Sequence, residues 1–171
     1  EEVQPLIAKS REVLGAYLTY AHEAIALPDD FGVHDMWGLT RMQCPQAWDI
    51  QSGNSEVIIT TIDTGCKITH EDLAANVRVN PGEDLNSNGV WDESDNNGMD
   101  DDNNGFVDDL VGFDFVSYTP DTARWAMGEE YAPRDNQVYP DVHGHGTHVM
   151  GTAAAVTNNA IGVAAASCMF L

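Results

Sequence analysis

The apolar residues Leu6, Leu14, Tyr17, Leu18, Ala21 and Ile25 recur at three-to-four spacing, the period of one helical face. Pro5 is acceptable as a first helical residue, so the pattern predicts an amphipathic helix from Pro5 to about Leu27. Pro28-Asp-Asp-Phe-Gly32 ends it, and Trp37 and Trp48 around Cys44-Pro45 predict a wrapped arm or a brief helix. Ser52-Gly-Asn-Ser55 is a turn. Val57-Ile-Ile-Thr-Thr-Ile62 then runs without polar alternation, as expected of a parallel strand covered on both faces. An Asn-, Asp- and Gly-rich excursion occupies Asn80 to Asp109, and Leu110-Val-Gly-Phe-Asp-Phe-Val116 returns to strand-like composition. Ser117 to Pro140 lacks a clean period and reads as a surface loop, with one helical turn near Arg124 to Met127. Thr147 to Val156 reads as a helix whose small residues allow close packing, Asn158 to Gly162 as a turn, and Val163 to Leu171 as the next strand. Together these elements predict an α/β domain with a mainly parallel sheet and helices on both faces.

Composition narrows the picture. A chain of 171 residues that is 43% hydrophobic can bury one core. No apolar stretch approaches the roughly 20 residues that span a bilayer, so no membrane partner is expected. The net charge of -21 argues against nucleic acid, because phosphate binding needs clustered Lys and Arg. The acid is concentrated: no Lys or Arg occurs between Arg78 and Arg124. So dense a carboxylate stretch needs a cation, a salty solvent or a disordered state. Three scattered cysteines, Cys44, Cys66 and Cys168, do not make a disulfide framework. With Glu1 at the start and apolar residues at the end, the chain is expected to be cut at both ends.

Two short motifs carry candidate chemistry. Asp63 in Thr60-Thr-Ile-Asp-Thr-Gly65 falls at the end of the predicted strand, where open α/β sheets place catalytic groups. Asp141-Val-His-Gly-His-Gly-Thr-His-Val-Met-Gly-Thr152 puts His145 at the start of the predicted helix. An imidazole that takes a proton and a carboxylate that orients it are two of the three groups a hydroxyl-nucleophile hydrolase needs. Plainer and rival readings use the same residues. Asp63 before Gly65 is also a turn signal, and Asp-Thr-Gly also suits an aspartic dyad, which would need a second copy absent here. His143, His145 and His148 have a spacing that suits zinc. His148 is otherwise expected to pack or hydrogen-bond, Gly144 and Gly146 to permit close backbone approach, and Cys66 to be either thiol-sensitive or simply a small buried residue.

The acidic excursion fits a calcium loop. Asp84, Asn86, Asn88, Asp92 and Asp95 occupy positions 1, 3, 5, 9 and 12, with Gly89 at 6 and the Val90 carbonyl at 7. Asp100, Asp102, Asn104 and Asp108 repeat positions 1, 3, 5 and 9, but Val111 stands at 12, so this second loop is expected to be weaker or completed from elsewhere. The plainer reading is a solvated acidic loop.

At this level of detail the chain resembles the amino-terminal half of a subtilisin-like serine protease catalytic domain (the subtilase or peptidase S8 family). Ile62-Asp63-Thr64-Gly65 with His70-Glu-Asp-Leu73 is similar to the family's aspartate motif, and His145-Gly-Thr-His-Val-Met-Gly-Thr152 to its histidine motif, departing at Met150. Trp37-Gly-Leu, Gln46-Ala-Trp48, Val111 to Val116 and Ile161-Gly-Val163 agree as well, so the likeness runs from about Met36 onward. It implies a three-layer α/β/α fold, incomplete in this chain, with Asp63 as the orienting carboxylate and His145 as the general base. On this likeness residues 36–171 are a partial catalytic domain, within which the spacing above places a calcium-binding insertion at 83–109, and residues 1–35 are an extension or the end of an inhibitory pro-segment. The implied protein is a secreted or cell-envelope endopeptidase acting on polypeptide substrates. None of the chain's serines stands in the family's nucleophile context, so the chain alone is expected to be inactive. A calcium-bound pseudoprotease or interaction module is the alternative.

Overall fold

The computed structural model describes residues 27–30, 32–116 and 134–167. The expected helix of Pro5 to Leu27, apart from Leu27 itself, lies outside the described residues, as does the expected turn at Arg124 to Met127. Near Trp37 the chain forms two short helices, α1 (Trp37–Arg41) and α2 (Cys44–Trp48). Gln43, in the left-handed conformation at φ 60, turns one into the other, and Pro45 falls in the first turn of α2, where its missing N–H costs nothing. Leu39, Cys44 and Trp48 turn inward against Val33, Met36 and Ala164 to make a small core. The Trp48 indole donates to the carbonyl of Ala166 at 3.0 Å, so the apolar ring is buried and its polar tip satisfied.

The turn predicted at Asn158 to Gly162 is present, with Asn158, Ala160 and Gly162 all at positive φ. Two buried carboxylates hold it. Asp30 accepts from the N–H groups of Asn158 and Asn159, and Asp72 accepts from Val163 N and the Asn159 amide. The Asp72 carbonyl also takes the N–H of Val156 at 2.8 Å, directly after α3 (His145–Ala154). The helix therefore starts and stops two residues earlier than the sequence pattern suggests. Ala155 is extended at ψ 151, because Val156 is already committed to the Asp72 loop.

The predicted sheet is not formed among the described residues. Val57 N–H bonds back to Asn54 O, and residues Val57 and Ile62 are 66% and 100% exposed. A parallel strand gains its hydrogen bonds and its cover only from neighbours brought alongside by crossover connections, and no described segment lies there. The strand-like Leu110 to Val116 contributes one isolated antiparallel bridge, Asp114 to Asp135, and Val163 to Ser167 is likewise not a strand. Phe106, Phe113 and Phe115 instead pack on one another with ring centroids 4.8 to 5.4 Å apart, offset and tilted as aromatic quadrupoles prefer.

Candidate functional site

His145 and Asp63 meet across 82 residues of chain. The His145 Nδ1 lies 2.6 Å from Asp63 Oδ1, short enough for a charge-assisted hydrogen bond. The Asp63 side chain is 15% exposed although its backbone is open, while the His145 side chain remains 58% exposed. The imidazole is thus gripped on one nitrogen and open on its other side. Asp63 Oδ1 also accepts the Thr64 N–H at 2.8 Å. The hydrogen bond from His145, followed by that from the Thr64 N–H, holds the Asp63 carboxyl below its ordinary value.

The approach depends on backbone rather than on long side chains. Gly146 sits against the Gly65 carbonyl so closely that a Cβ would overlap it, and Asp63 Cβ is the next neighbour at 3.2 Å. Gly65 itself is at φ +111, a conformation open to glycine and costly for other residues. Gly144 has open space around it; its requirement is the φ of 78 at the helix N-cap.

Asp141 locks the two motifs together, a role that the sequence reading missed. One of its oxygens accepts from the Thr64 hydroxyl at 2.8 Å and Gly144 N at 2.9 Å. The other accepts from Thr147 N at 2.8 Å and the Thr147 hydroxyl at 2.6 Å. Thr64 Oγ in turn accepts Gly146 N, and Thr147 Oγ accepts Lys67 N. The carboxylate therefore caps α3 from three residues before its N-cap, satisfying donors that a helix start leaves open. Burial raises the Asp141 carboxyl, but the bonds from Thr147, Thr64 and Gly144 outweigh it and the net direction is down. The available signal was an Asp just ahead of a helix start.

The other histidines do not join this pair. His143, His145 and His148 are all exposed, and they do not bring three nitrogens within 4.8 Å of one another, so the geometry lends the zinc reading no support. His148 points to solvent rather than packing, because it lies one turn along α3 on the open side. Cys66 is half-buried; burial first, and then the Asp141 charge, push its thiol up, which favours the plain structural reading over a thiol-sensitive one.

In the acidic excursion, Asp84 accepts from Asn88 N and Gly89 N, and Asp100 repeats this with Asn104 N and Gly105 N. The two loops thus share one local conformation. In the first, the Asn86 amide bonds Asp92 and Asp95, and the Asn88 amide bonds Asp92. The Ser94 hydroxyl, then the Asn88 amide, hold Asp92 down at about 2. Asp95 is fully buried; Oδ1 takes Leu85 N, and Oδ2 has no partner. In the second loop, Asp102 and Asn104 bond each other, and Asp108 accepts from the N–H groups of Asn97 and Gly98. Among the described residues, the carboxylates that come within 4.8 Å of one another as a set of three are Glu83, Asp102 and Asp109. Asp84, Asp92 and Asp95 do not.

A carboxylate-oriented imidazole at a helix start is an arrangement that can serve a hydroxyl-activating hydrolase as its acid–base pair. The chain belongs to the subtilase family: the family's profile matches residues 54–169. Thermitase of Thermoactinomyces vulgaris is 32% identical over 129 residues, covering 75% of this chain and 28% of that protein. Subtilisin-like protease 1 of Plasmodium berghei is 35% identical over 129 residues, covering 74% of this chain and 17% of that protein. An extracellular protease of Xanthomonas campestris is 32% identical over 148 residues, covering 82% of this chain and 21% of that protein. The chain thus spans less than a third of the length of these relatives. Subtilases are serine peptidases, and the α/β fold follows from membership rather than from a sheet seen here.

Proposed function

We propose that the chain is part of the catalytic domain of a secreted serine endopeptidase, in which Asp63 orients His145 and His145 acts as general base and then general acid. The 2.6 Å contact between His145 Nδ1 and Asp63 Oδ1 carries this reading. A proton donated from Nδ1 to the carboxylate fixes the tautomer that leaves the Nε2 lone pair free. Nε2 then takes the proton of a serine hydroxyl as it attacks a peptide carbonyl, and returns it to the leaving amine. None of the chain's serines stands in the family's nucleophile context, so this reading takes the serine from outside these residues and expects the chain alone to be inactive. Secretion is supported by relatives named extracellular proteases, and no described helix is long and apolar enough to cross a membrane.

The same reading includes a structural calcium ion in the first acidic loop, held by Asp84, Asn86, Asn88, the Val90 carbonyl, Asp92 and Asp95. The donors are all oxygen, as calcium prefers, and the buried, unpartnered Asp95 Oδ2 is a group that is costly to leave without a partner. The ion would neutralise carboxylates that otherwise repel one another.

The test is peptide hydrolysis by the full-length protein. His145→Ala should lower kcat/KM by roughly 10⁴-fold or more, and Asp63→Asn by a comparable factor. Hydrolysis at the unmodified rate in His145→Ala would show that the pair is not the acid–base machinery.

A further inference from the structure

The chain's Asn-Gly bonds are Asn88-Gly89, Asn97-Gly98 and Asn104-Gly105. Asparagine is a thermolabile residue, and most so before glycine, which has no side chain to shield its backbone nitrogen. When that nitrogen gives up its proton to solvent, it can attack the amide carbon of the asparagine. A C–N bond forms, the amide nitrogen leaves as ammonia with a proton from solvent, and a cyclic succinimide results. Water then opens the ring at either carbonyl to give aspartate or isoaspartate, so the net change is one water gained and one ammonia lost.

In this fold all three glycine nitrogens are already engaged by carboxylates. Gly89 N donates to Asp84 Oδ2 at 2.7 Å and Gly105 N to Asp100 Oδ2 at 2.9 Å, each within its own loop. Gly98 is held from further away: its N–H donates to Asp108 Oδ2 at 2.9 Å, and the Asn97 N–H to Asp108 Oδ1 at 2.9 Å. Asp108 is buried, with its backbone in the left-handed region at φ 52. Its N–H reaches Met99 O, and its carbonyl accepts the Asn136 amide at 3.0 Å. The Asn97 amide is fixed as well, since Oδ1 accepts Met99 N and Nδ2 donates to Asp101 Oδ2, both at 2.7 Å. Asn97 and Gly98 are nevertheless open to solvent, so the water that the reaction consumes is present.

We propose that Asn97 is a site of spontaneous deamidation and that Asp108 holds it in check. A charge-assisted hydrogen bond stabilises the protonated Gly98 nitrogen, and the nitrogen anion that attacks would stand directly against a carboxylate, a like charge that opposes its formation. Any turn of the Asn97 amide also breaks its bonds to Met99 and Asp101. The check depends on the folded path, because Asn136 anchors Asp108 across 28 residues of chain. Local opening between these segments therefore starts the reaction, and closing again does not undo it. A carboxylate at position 97 replaces the donor facing Asp101 with a like charge, in a stretch with no Lys or Arg between Arg78 and Arg124, so the turn is left less stable than before.

The full chain, aged in mildly alkaline buffer at one fixed calcium concentration, tests this by peptide mapping with mass spectrometry and isoaspartate quantification at Asn88, Asn97 and Asn104. Asn97 should deamidate more slowly in the folded chain than in guanidinium chloride. Asp108→Asn keeps the side-chain size and suits the left-handed backbone, yet loses the charge. It should speed deamidation at Asn97 about tenfold or more, the factor that one charge-assisted hydrogen bond carries, while Asn88 and Asn104 keep their parent rates. Asn136→Ala, which frees Asp108 without altering it, should act in the same direction at the same position, and circular dichroism confirms that each variant keeps its fold. An unchanged rate at Asn97 in a folded variant, or an equal rise at all three positions, would overturn the proposal, as would equal rates for the parent chain with and without denaturant. The readout is a covalent change at one residue, so it stands or falls separately from the peptidase reading.

Discussion

Gly146 rests against the carbonyl of Gly65 with no room for even one carbon between them, and this contact sets how near His145 comes to Asp63. The helix carrying His145 and the turn carrying Asp63 touch through bare backbone.

Gly146→Ala should therefore push α3 away and break the 2.6 Å hydrogen bond. A displacement of about 1 Å at a catalytic group costs on the order of 10²-fold in rate. Steady-state kinetics of the full-length variant should show that loss mainly in kcat. A variant with unaltered kcat would mean the helix tolerates the methyl group by shifting elsewhere.

Acid should loosen the same junction. Asp63 and Asp141 both titrate below the ordinary 3.8 when folded. A depressed carboxyl adds stability that is complete above its unfolded pKa and is lost as pH falls through the folded one. The junction is therefore expected to hold above about pH 4 and to weaken progressively below it, as carboxyl-carbon NMR titration would report. Asp141→Asn should remove the charge from four hydrogen bonds and cost about 1–3 kcal/mol in urea unfolding, with a smaller pH dependence below 4 than the parent.

Cys66 should alkylate slowly. Burial and the neighbouring Asp141 raise its thiol above the ordinary 9.0, and the thiolate is the reactive form. Iodoacetamide at pH 8 should modify Cys66 more slowly in the folded protein than in urea. Equal rates would show the thiol to be exposed.

Calcium should stabilise the chain through Asp95. A ligand that binds only the folded state adds RT ln(1 + [L]/Kd), about 2.7 kcal/mol at a hundredfold excess over Kd. Asp95→Asn should reduce the calcium-induced rise in melting temperature. A rise identical to that of the parent would remove Asp95 from the ion's shell.

The sequence by itself determined what is local. The Asp-Thr-Gly turn, the helix opened by His145 and the twelve-residue spacing of the acidic loops are set by backbone preferences and short-range hydrogen bonds, and each is written in a few adjacent residues. Asp84 and Asp100 make the same backbone bonds in their two loops for that reason. What required the tertiary structure was every approach between distant segments. Asp141 could be seen as a helix cap, but not as the tie to Thr64, 77 residues away. Asp108 fits the loop template yet turns to Asn97 and Gly98, while Glu83 and Asp109 lie outside the template and converge on Asp102. The run from Val57 to Ile62 carries the composition of a buried strand, but composition cannot supply the neighbours that bury it. Spacing along a chain fixes what a residue can bond nearby; only the folded path decides which carboxylates share a space and which apolar faces find a partner.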